Sequence, residues 1–135
     1  MAEGYRRSYY FEIARLINHT NKIVFSRTLD RVEENKNWKN VKLIHEFDPE
    51  EIMRLKDKPG GDISVGGSDL AVSFINEGLI EEFRFMIAPI VIGQGTRVFK
   101  GLKSRLDLEL IKTRSFESGN MLLYYGPSKD SLAQS

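Results

Sequence analysis

The residues best suited to ligand binding are two glycines and a serine, Gly66-Gly67-Ser68, between an apolar run and a helix-like segment. Glycine has no Cβ, so a ligand can come close to the backbone. A helix that begins here offers unpaired N–H groups and the positive end of its dipole, which can hold a phosphate or pyrophosphate. The alternative is an ordinary strand-to-helix turn with Ser68 as the N-cap. The segment is neither a Walker loop nor a complete GxGxxG motif.

A second candidate site, Ser26-Arg27-Thr28, follows the apolar run Ile23-Val24-Phe25. A cation beside two hydroxyls can bind a phosphate monoester through charge-assisted hydrogen bonds, and the alternative is a solvated loop arginine. Both candidates lie at the carboxyl ends of predicted strands, which is where ligands bind in open α/β sheets. Their joint occurrence favours a ligand with two phosphate groups.

Two further segments are weaker candidates. Arg6-Arg7-Ser8 places two cations and a hydroxyl at the predicted start of the first helix, where they either hold a phosphate or form a frayed basic terminus. A second segment runs from the apolar strand end at Pro89 and Ile92 into the glycine loop of Gly93 and Gly95. It either lines a pocket or forms a simple bend.

Other chemistries have little support. The chain has no cysteine, which excludes thiol nucleophiles and cysteine-ligated metals, and His19 and His45 do not form a metal-ligand spacing. We therefore expect no metal. There is no GxSxG nucleophile elbow, and the sequence identifies no catalytic acid or base.

The charge balance and hydropathy exclude further classes of partner. The chain has 20 Lys and Arg against 19 Asp and Glu, with the lysines dispersed among acids, so we expect no nucleic-acid partner. No apolar stretch is long enough for a membrane span, and no secretory segment follows the polar start of the chain. The prediction is a cytoplasmic protein without a membrane partner.

Periodicity and turn residues predict the elements that position the candidate sites. Helices are predicted over 8–19, from Pro49, with Asp48 as its cap, to the stop at Pro59, and over 69–77 with Gly78 as a left-handed C′ residue. Strands are predicted over 22–26, 41–44, 63–65 and 82–92, followed by a C-terminal β-hairpin that turns at 117–120. The length of 135 residues suits one domain, which we place at 1–126, with 127–135 as a disordered tail.

Four segments of the chain, in register from about Ile13 to Tyr125, resemble the dihydrofolate-reductase-like family and its RibD C-terminal reductase domain. Residues 22–29 are similar to the family's K-V-V-F-S-R-T-L strand, and 65–70 to its glycine turn. Residues 78–82 are similar to its G-L-I-D-E segment, and 89–95 with Phe99 to its P-V-V-L-G-x-G…F segment.

This resemblance implies a three-layer α/β/α fold, a mixed sheet flanked by helices with a C-terminal β-hairpin, and NADPH as cofactor. Ser26, Arg27 and Thr28 would face the 2′-phosphate. The residues that would hold the pyrophosphate are Val65, Gly66, Gly67, Ser68, Asp69 and Leu70. Pro89 to Gly95 would lie near the substrate. The reaction would be hydride transfer to a pteridine- or pyrimidine-like ring, in which the cofactor does the chemistry and the protein positions it.

The resemblance starts inside a segment that family members place after a first strand and helix. Residues 6–9 resemble the R-x-T-Y part of the family's G-R-x-T-Y-E, with Tyr5 in place of the glycine and Tyr10 in place of the glutamate. We therefore expect an N-terminally truncated fold that lacks a central strand. The strands that would lie on either side of it then need new partners for their N–H and C=O groups. A second copy is the simplest partner, so a homodimer is expected. The alternative to a reductase is a non-catalytic member that binds a nucleotide or only self-associates.

Overall fold

The computed structural model describes residues 2–129, with side chains from Tyr10 onward, and it contains both helices and strands. The helices are α1 (Ala2–His19), α2 (Pro49–Asp57) and α3 (Ser68–Asn76). The strands are β1 (Lys22–Phe25), β2 (Val41–Ile44), β3 (Phe83–Ile87), β4 (Leu108–Ser115) and β5 (Met121–Pro127). The chain divides into two compact units, residues 1–48 and 49–135. The prediction of a single domain over residues 1–126 therefore stays a prediction.

The first unit contains α1 and a two-stranded parallel sheet of β1 and β2. Their pairing runs in register from Lys22 opposite Val41 to Phe25 opposite Ile44. β-Branched and aromatic residues favour these strands because their side chains pack well on a pleated surface. The Ser26 N–H extends the ladder by donating to the Ile44 carbonyl at 3.0 Å. Because the strands are parallel, their carboxyl ends lie at the same edge of the sheet.

Helix α1 begins earlier than its sequence pattern indicates. It starts at Ala2, so Arg6, Arg7 and Ser8 lie inside the helix, and the prediction that they form its N-terminus is wrong. Apolar periodicity begins only at Tyr9, so the sequence pattern does not indicate the first turns of the helix. The side chains of Arg6, Arg7 and Ser8 lie outside the described residues, so their phosphate role stays a prediction.

The second unit contains α2, α3 and a three-stranded antiparallel sheet in the order β3-β5-β4. The predicted C-terminal hairpin is confirmed, because β4 and β5 pair from Leu108 opposite Pro127 to Ser115 opposite Met121. The disordered tail was predicted to start too early. Pro127 belongs to β5, and the buried Ser128 donates its N–H to the Asp107 carbonyl at 2.8 Å. Residues 130–135 lie outside the described part of the chain.

The apolar sides of α2 and α3 supply much of the core of the second unit. The most buried apolar side chains of the described residues are Ile52, Val72, Phe74, Leu79 and Phe83, each at most 7 % exposed. Helix α3 ends in a Schellman motif, since the Gly78 N–H donates to the Ile75 carbonyl and the Leu79 N–H to the Phe74 carbonyl, both at 3.0 Å. Gly78 has φ 67°, so its predicted left-handed C′ position is confirmed.

Two predicted strands differ from the structure. Residues 63–65 form no strand, because no described strand pairs with them. The run predicted over 82–92 is a strand only from Phe83 to Ile87, where β5 lies opposite it. In both places the residue types favour a strand, but a strand also needs a hydrogen-bonding partner.

Candidate functional site

The loop after β1 is held in shape by Ser26. Its hydroxyl oxygen accepts hydrogen bonds from the backbone N–H of Thr28 at 3.3 Å and of Leu29 at 3.1 Å, and it lies 3.4 Å from the Thr28 hydroxyl. A serine hydroxyl that accepts from backbone N–H groups two and three residues further along the chain closes a local turn. Ser26 is half-buried, whereas Arg27 and Thr28 are exposed. The loop therefore presents a cation and a hydroxyl to solvent from an ordered base.

Arg27 has no hydrogen bond or ion pair with any described residue, unlike Arg31 four residues later. The guanidinium of Arg31 lies 3.3 Å from the Glu33 carboxylate. An arginine without a carboxylate partner keeps its five N–H donors available for an anion, and its planar fork suits a phosphate. The loop is thus able to bind a phosphate monoester through Arg27.

His45 is a neighbour of this loop for which the sequence predicted no functional role. It follows β2 as Ser26 follows β1, and its Nδ1 lies 3.0 Å from the Ser26 carbonyl oxygen. If Nδ1 donates to that carbonyl, Nε2 remains free to face a ligand. The sequence showed only that His45 follows a predicted strand, and the parallel pairing of β1 with β2 brings it to the same sheet edge as Ser26.

The glycine turn of the second unit leads directly into α3. Gly67 is the N-cap, with φ 90° and ψ 124°, and its carbonyl accepts the first helical hydrogen bond from the Ala71 N–H at 2.9 Å. No side chain caps the helix, so the alternative in which Ser68 is the N-cap is wrong. The N–H groups of the first turn are consequently left without a side-chain acceptor.

Space around the turn is open to a ligand. A Cβ built on Gly66 or Gly67 would meet no atom within 4 Å, although the positive φ of Gly67 strains any other residue there. Ser68 and Asp69 are exposed, while Val65 and Leu70 are half-buried and anchor the two sides of the turn. The negative Asp69 carboxylate interacts favourably with the positive end of the helix dipole, but it repels an anionic ligand. At Asp69, only the backbone N–H is therefore suited to phosphate binding.

A cleft of about 750 Å³ extends from this turn within the second unit. Its lining includes Gly67 and Ser68, and aromatic residues such as Phe74, Phe85 and Phe99 make much of it apolar. Clefts that combine apolar walls with a few polar groups are typical of small-molecule sites.

Four of the charged residues at the cleft form two ion pairs. The Lys56 ammonium donates to the Leu79 carbonyl at 3.0 Å and lies 3.5 Å from the Glu81 carboxylate. The Arg84 Nε donates to the Glu82 carboxylate at 2.6 Å, and this hydrogen bond raises the pKa of Arg84 above its usual value. Both cations are therefore already bound to carboxylates of the chain.

The structure does not bring all the candidate residues to the cleft. Pro89, Ile92, Gly93 and Gly95 are not among the residues that line it, and they follow β3 in an exposed loop. Ser26, Arg27 and Thr28 belong to the first unit, and the glycine turn belongs to the second.

Residues 2–129 contain neither a metal-binding cluster nor a membrane-spanning helix. They contain no group of three or more His, Cys, Asp or Glu side chains placed to hold a metal ion. Within the same range, no helix combines the length and the apolar character needed to cross a bilayer.

Comparison with known proteins decides the family. Residues 7–122 match the RibD C-terminal domain. The chain belongs to this family. The match includes the loop after β1 and the glycine turn before α3, so the predicted resemblance to the RibD C-terminal type is confirmed.

Two proteins of Bacillus subtilis (strain 168) are similar to the chain, and both are uncharacterized. YyaP is 37 % identical over 115 residues, which cover 84 % of this chain and 58 % of YyaP. YwjB is 35 % identical over 72 residues, which cover 53 % of this chain and 41 % of YwjB. The chain therefore spans less than two thirds of the length of these relatives.

A solved structure supports the fold. A candidate riboflavin biosynthesis protein from Shewanella sp. PV-4 superposes with a TM-score of 0.69 over 92 % of this chain and 71 % of its own chain, at 21 % sequence identity. The predicted mixed α/β fold of the dihydrofolate-reductase-like type is therefore confirmed.

Proposed function

We propose that this RibD C-terminal domain protein binds NADPH and belongs to a reductase that transfers hydride to a pteridine- or pyrimidine-like ring. The observation that best supports the proposal is the uncapped start of α3 at Gly67, which leaves first-turn N–H groups and open space beside two glycines. A helix N-terminus of this kind favours a pyrophosphate. In a family of reductase-type domains, NADPH is the ligand with the matching chemistry.

Each of the two candidate loops by itself carries groups whose chemistry suits a phosphate of the cofactor. The Arg27 guanidinium, which has no partner among the described residues, would pair with the 2′-phosphate, and Thr28 would donate its hydroxyl to the same group. Backbone N–H groups of Ser68, Asp69 and Leu70 would hold the pyrophosphate. NADPH supplies the hydride, and the protein binds and orients it.

The proposed substrate is a small pyrimidine or pteridine, such as 5-amino-6-(5-phosphoribosylamino)uracil or dihydrofolate. The Shewanella protein of similar fold is described as a candidate for riboflavin biosynthesis, which supports the pyrimidine. The homodimer and the cytoplasmic location expected from the sequence belong to this proposal.

A second candidate function is nucleotide binding without catalysis. One observation favours it: at the cleft, Lys56 and Arg84 are each bound to a carboxylate, so neither cation is free to act on a substrate. The two functions share the phosphate contacts and differ only in turnover.

Titration with NADPH and, separately, NADH tests the proposal, with nicotinamide fluorescence as the signal. Tighter binding of NADPH than of NADH is expected, since only NADPH carries the 2′-phosphate. An absence of binding even at high NADPH would overturn the reductase. Oxidation of bound NADPH upon addition of dihydrofolate or the ribosylamino-pyrimidine, followed by absorbance, would then distinguish the reductase from the binding protein.

A further inference from the structure

His45 is held in place beside the candidate phosphate loop after β1. Its Nδ1 lies 3.0 Å from the Ser26 carbonyl oxygen, and that carbonyl belongs to the peptide bond that joins Ser26 to Arg27. The chain on either side is packed together, because the Phe25 ring before Ser26 and the Phe47 ring after His45 meet edge to face at 6.1 Å. The imidazole of His45 therefore lies beside the backbone that carries Arg27.

The hydrogen bond decides which ring nitrogen of His45 carries a proton. A backbone carbonyl can only accept a hydrogen bond, so Nδ1 is the donor. In the neutral ring, Nε2 is then an acceptor, and in the imidazolium form it becomes a second donor. His45 is exposed and forms no other hydrogen bond or ion pair with the described residues. Its Nε2 is consequently available to a ligand in either protonation state.

The charged groups around His45 are of types that respond differently to pH. Carboxylates, ammonium groups and guanidinium groups ordinarily keep their charge between about pH 6 and about pH 8, whereas histidine is the side chain that ordinarily changes its charge there. None of the neighbouring groups forms a hydrogen bond or an ion pair with the His45 ring. They are Arg27, Asp30 and Arg31 after β1, Glu46 and Asp48 after β2, and Lys22 and Lys42 on the two strands.

A phosphate monoester changes its charge in the same range of pH as histidine. Its second proton leaves near about pH 6, so the group is mostly a dianion at neutral pH. An imidazolium can donate from Nε2 to the dianion, and a neutral imidazole can accept from the P–O–H group of the monoanion. Both arrangements hold one proton between nitrogen and oxygen. With two protons, two donors would face each other, and with none, two lone pairs would, so one shared proton gives the best contact.

We propose that His45 is a specificity-determining residue for the 2′-phosphate of NADPH, whose oxygen shares a single proton with Nε2 while Arg27 neutralises further charge. The inference rests on the proposed NADPH binding and adds a residue and a pH dependence to it. Above about pH 7 a histidine is ordinarily neutral and the free phosphate a dianion, so binding takes up one proton from solvent. Affinity for NADPH therefore falls as the pH rises. NADH has no 2′-phosphate, and its affinity does not follow this dependence.

Titration with NADPH and with NADH at about pH 6 and about pH 8 tests the inference, with nicotinamide fluorescence as the signal. The preference for NADPH is expected to fall about three- to tenfold over this range, because binding takes up protons that become scarcer. Calorimetry in two buffers of different ionisation enthalpy counts the protons directly. Uptake of about 0.5–1 proton for each NADPH is expected near about pH 7.5, and none for NADH.

His45→Asn separates proton sharing from a purely structural role. The asparagine amide can still donate to the Ser26 carbonyl, but it has no nitrogen that ionises. Compared with the unmodified chain, this variant is expected to bind NADPH about tenfold more weakly at about pH 6 and about equally at about pH 8. Its NADPH affinity should stay level or rise with pH, because Arg27 pairs better with the dianion. Unchanged affinity for NADH shows that the variant is folded.

The other histidine of the chain provides a matched control. His19, at the end of α1, makes the same kind of contact, since its Nδ1 lies 2.7 Å from the Arg15 carbonyl oxygen. His19→Asn is expected to leave both affinities and the pH profile unchanged.

The outcomes distinguish the role of His45 from the proposed function itself. A preference for NADPH that stays constant or rises between about pH 6 and about pH 8 would overturn the role of His45 and leave NADPH binding in place. The same holds if His45→Asn keeps the decline of the unmodified chain. Equal binding of NADPH and NADH at every pH would overturn both the role of His45 and the proposed 2′-phosphate site.

Discussion

The two loops proposed to hold the cofactor's phosphates use different chemistry. The loop after β1 presents side chains, Arg27 and Thr28, from a turn that the Ser26 hydroxyl closes. The turn before α3 presents backbone, because Gly66 and Gly67 have no side chain and Gly67 caps the helix itself. A site made of side chains can distinguish ligands by charge, whereas a site made of backbone depends on conformation. The two loops should therefore respond differently to substitution and to the choice of NADPH or NADH.

The largest effect is expected at Arg27. Arg27→Ala should weaken NADPH binding about 10- to 100-fold, because a charge-assisted hydrogen bond contributes about 1.5–3 kcal/mol. NADH affinity should not change, and fluorescence titration with both nucleotides measures the difference. Arg31→Ala is the matched control, since Arg31 is exposed in the same loop and faces Glu33. An equal loss for NADH and NADPH would contradict the 2′-phosphate role.

The backbone site is expected to respond to Gly67→Ala. A left-handed conformation costs a residue with a Cβ about 1–2 kcal/mol, so alanine should move the turn of the free protein out of this conformation. Binding then has to restore the turn, and both nucleotides should bind about tenfold more weakly. Gly78→Ala introduces similar strain at the other end of α3, where φ is 67°. Gly78→Ala should lower the melting temperature about as much as Gly67→Ala does, and it should leave the affinity for both nucleotides unchanged. A loss of affinity in both variants would mean that stability, not the turn, is being measured.

A smaller effect is expected at Ser26. Ser26→Ala removes the acceptor for the Thr28 and Leu29 N–H groups, so the loop loses its closed turn. NADPH binding should weaken about three- to tenfold, in proportion to one hydrogen bond of about 1 kcal/mol. Ser26→Thr keeps the hydroxyl and should restore most of the affinity. If the threonine variant binds as weakly as the alanine variant, the turn is not what positions Arg27.

The smallest effect is expected at Asp69, and its sign is opposite. Asp69→Asn removes a negative charge beside the proposed pyrophosphate, so NADPH and NADH should both bind about two- to threefold more tightly. The helix loses a favourable charge at its N-terminus, which costs about 0.3–1 kcal/mol of stability. Glu77→Gln, at the other end of α3, controls for the change in net charge. Weaker binding in Asp69→Asn would show that the carboxylate contacts the ligand directly.

Local signals in the sequence predicted several features closely. The bounds of β2, the start of α2 at Pro49 and the left-handed Gly78 each depend on residues within a few positions. Residues 63–65 have equally good strand signals and yet form no strand, because pairing depends on a partner far away in the chain. The N-cap is Gly67 and not Ser68, since cap position depends on the backbone angles of the turn.

The sequence by itself determined the family, the loop Ser26-Arg27-Thr28 and the glycine turn, because each depends on the order of neighbouring residues. Only the tertiary structure decided that His45 lies beside Ser26, since parallel pairing of β1 and β2 brings them together. The structure also decided that residues 62–65 and β3 line one cleft. Hydrogen-bond pairing between distant segments is a property of the folded chain, and no local pattern of residues contains it.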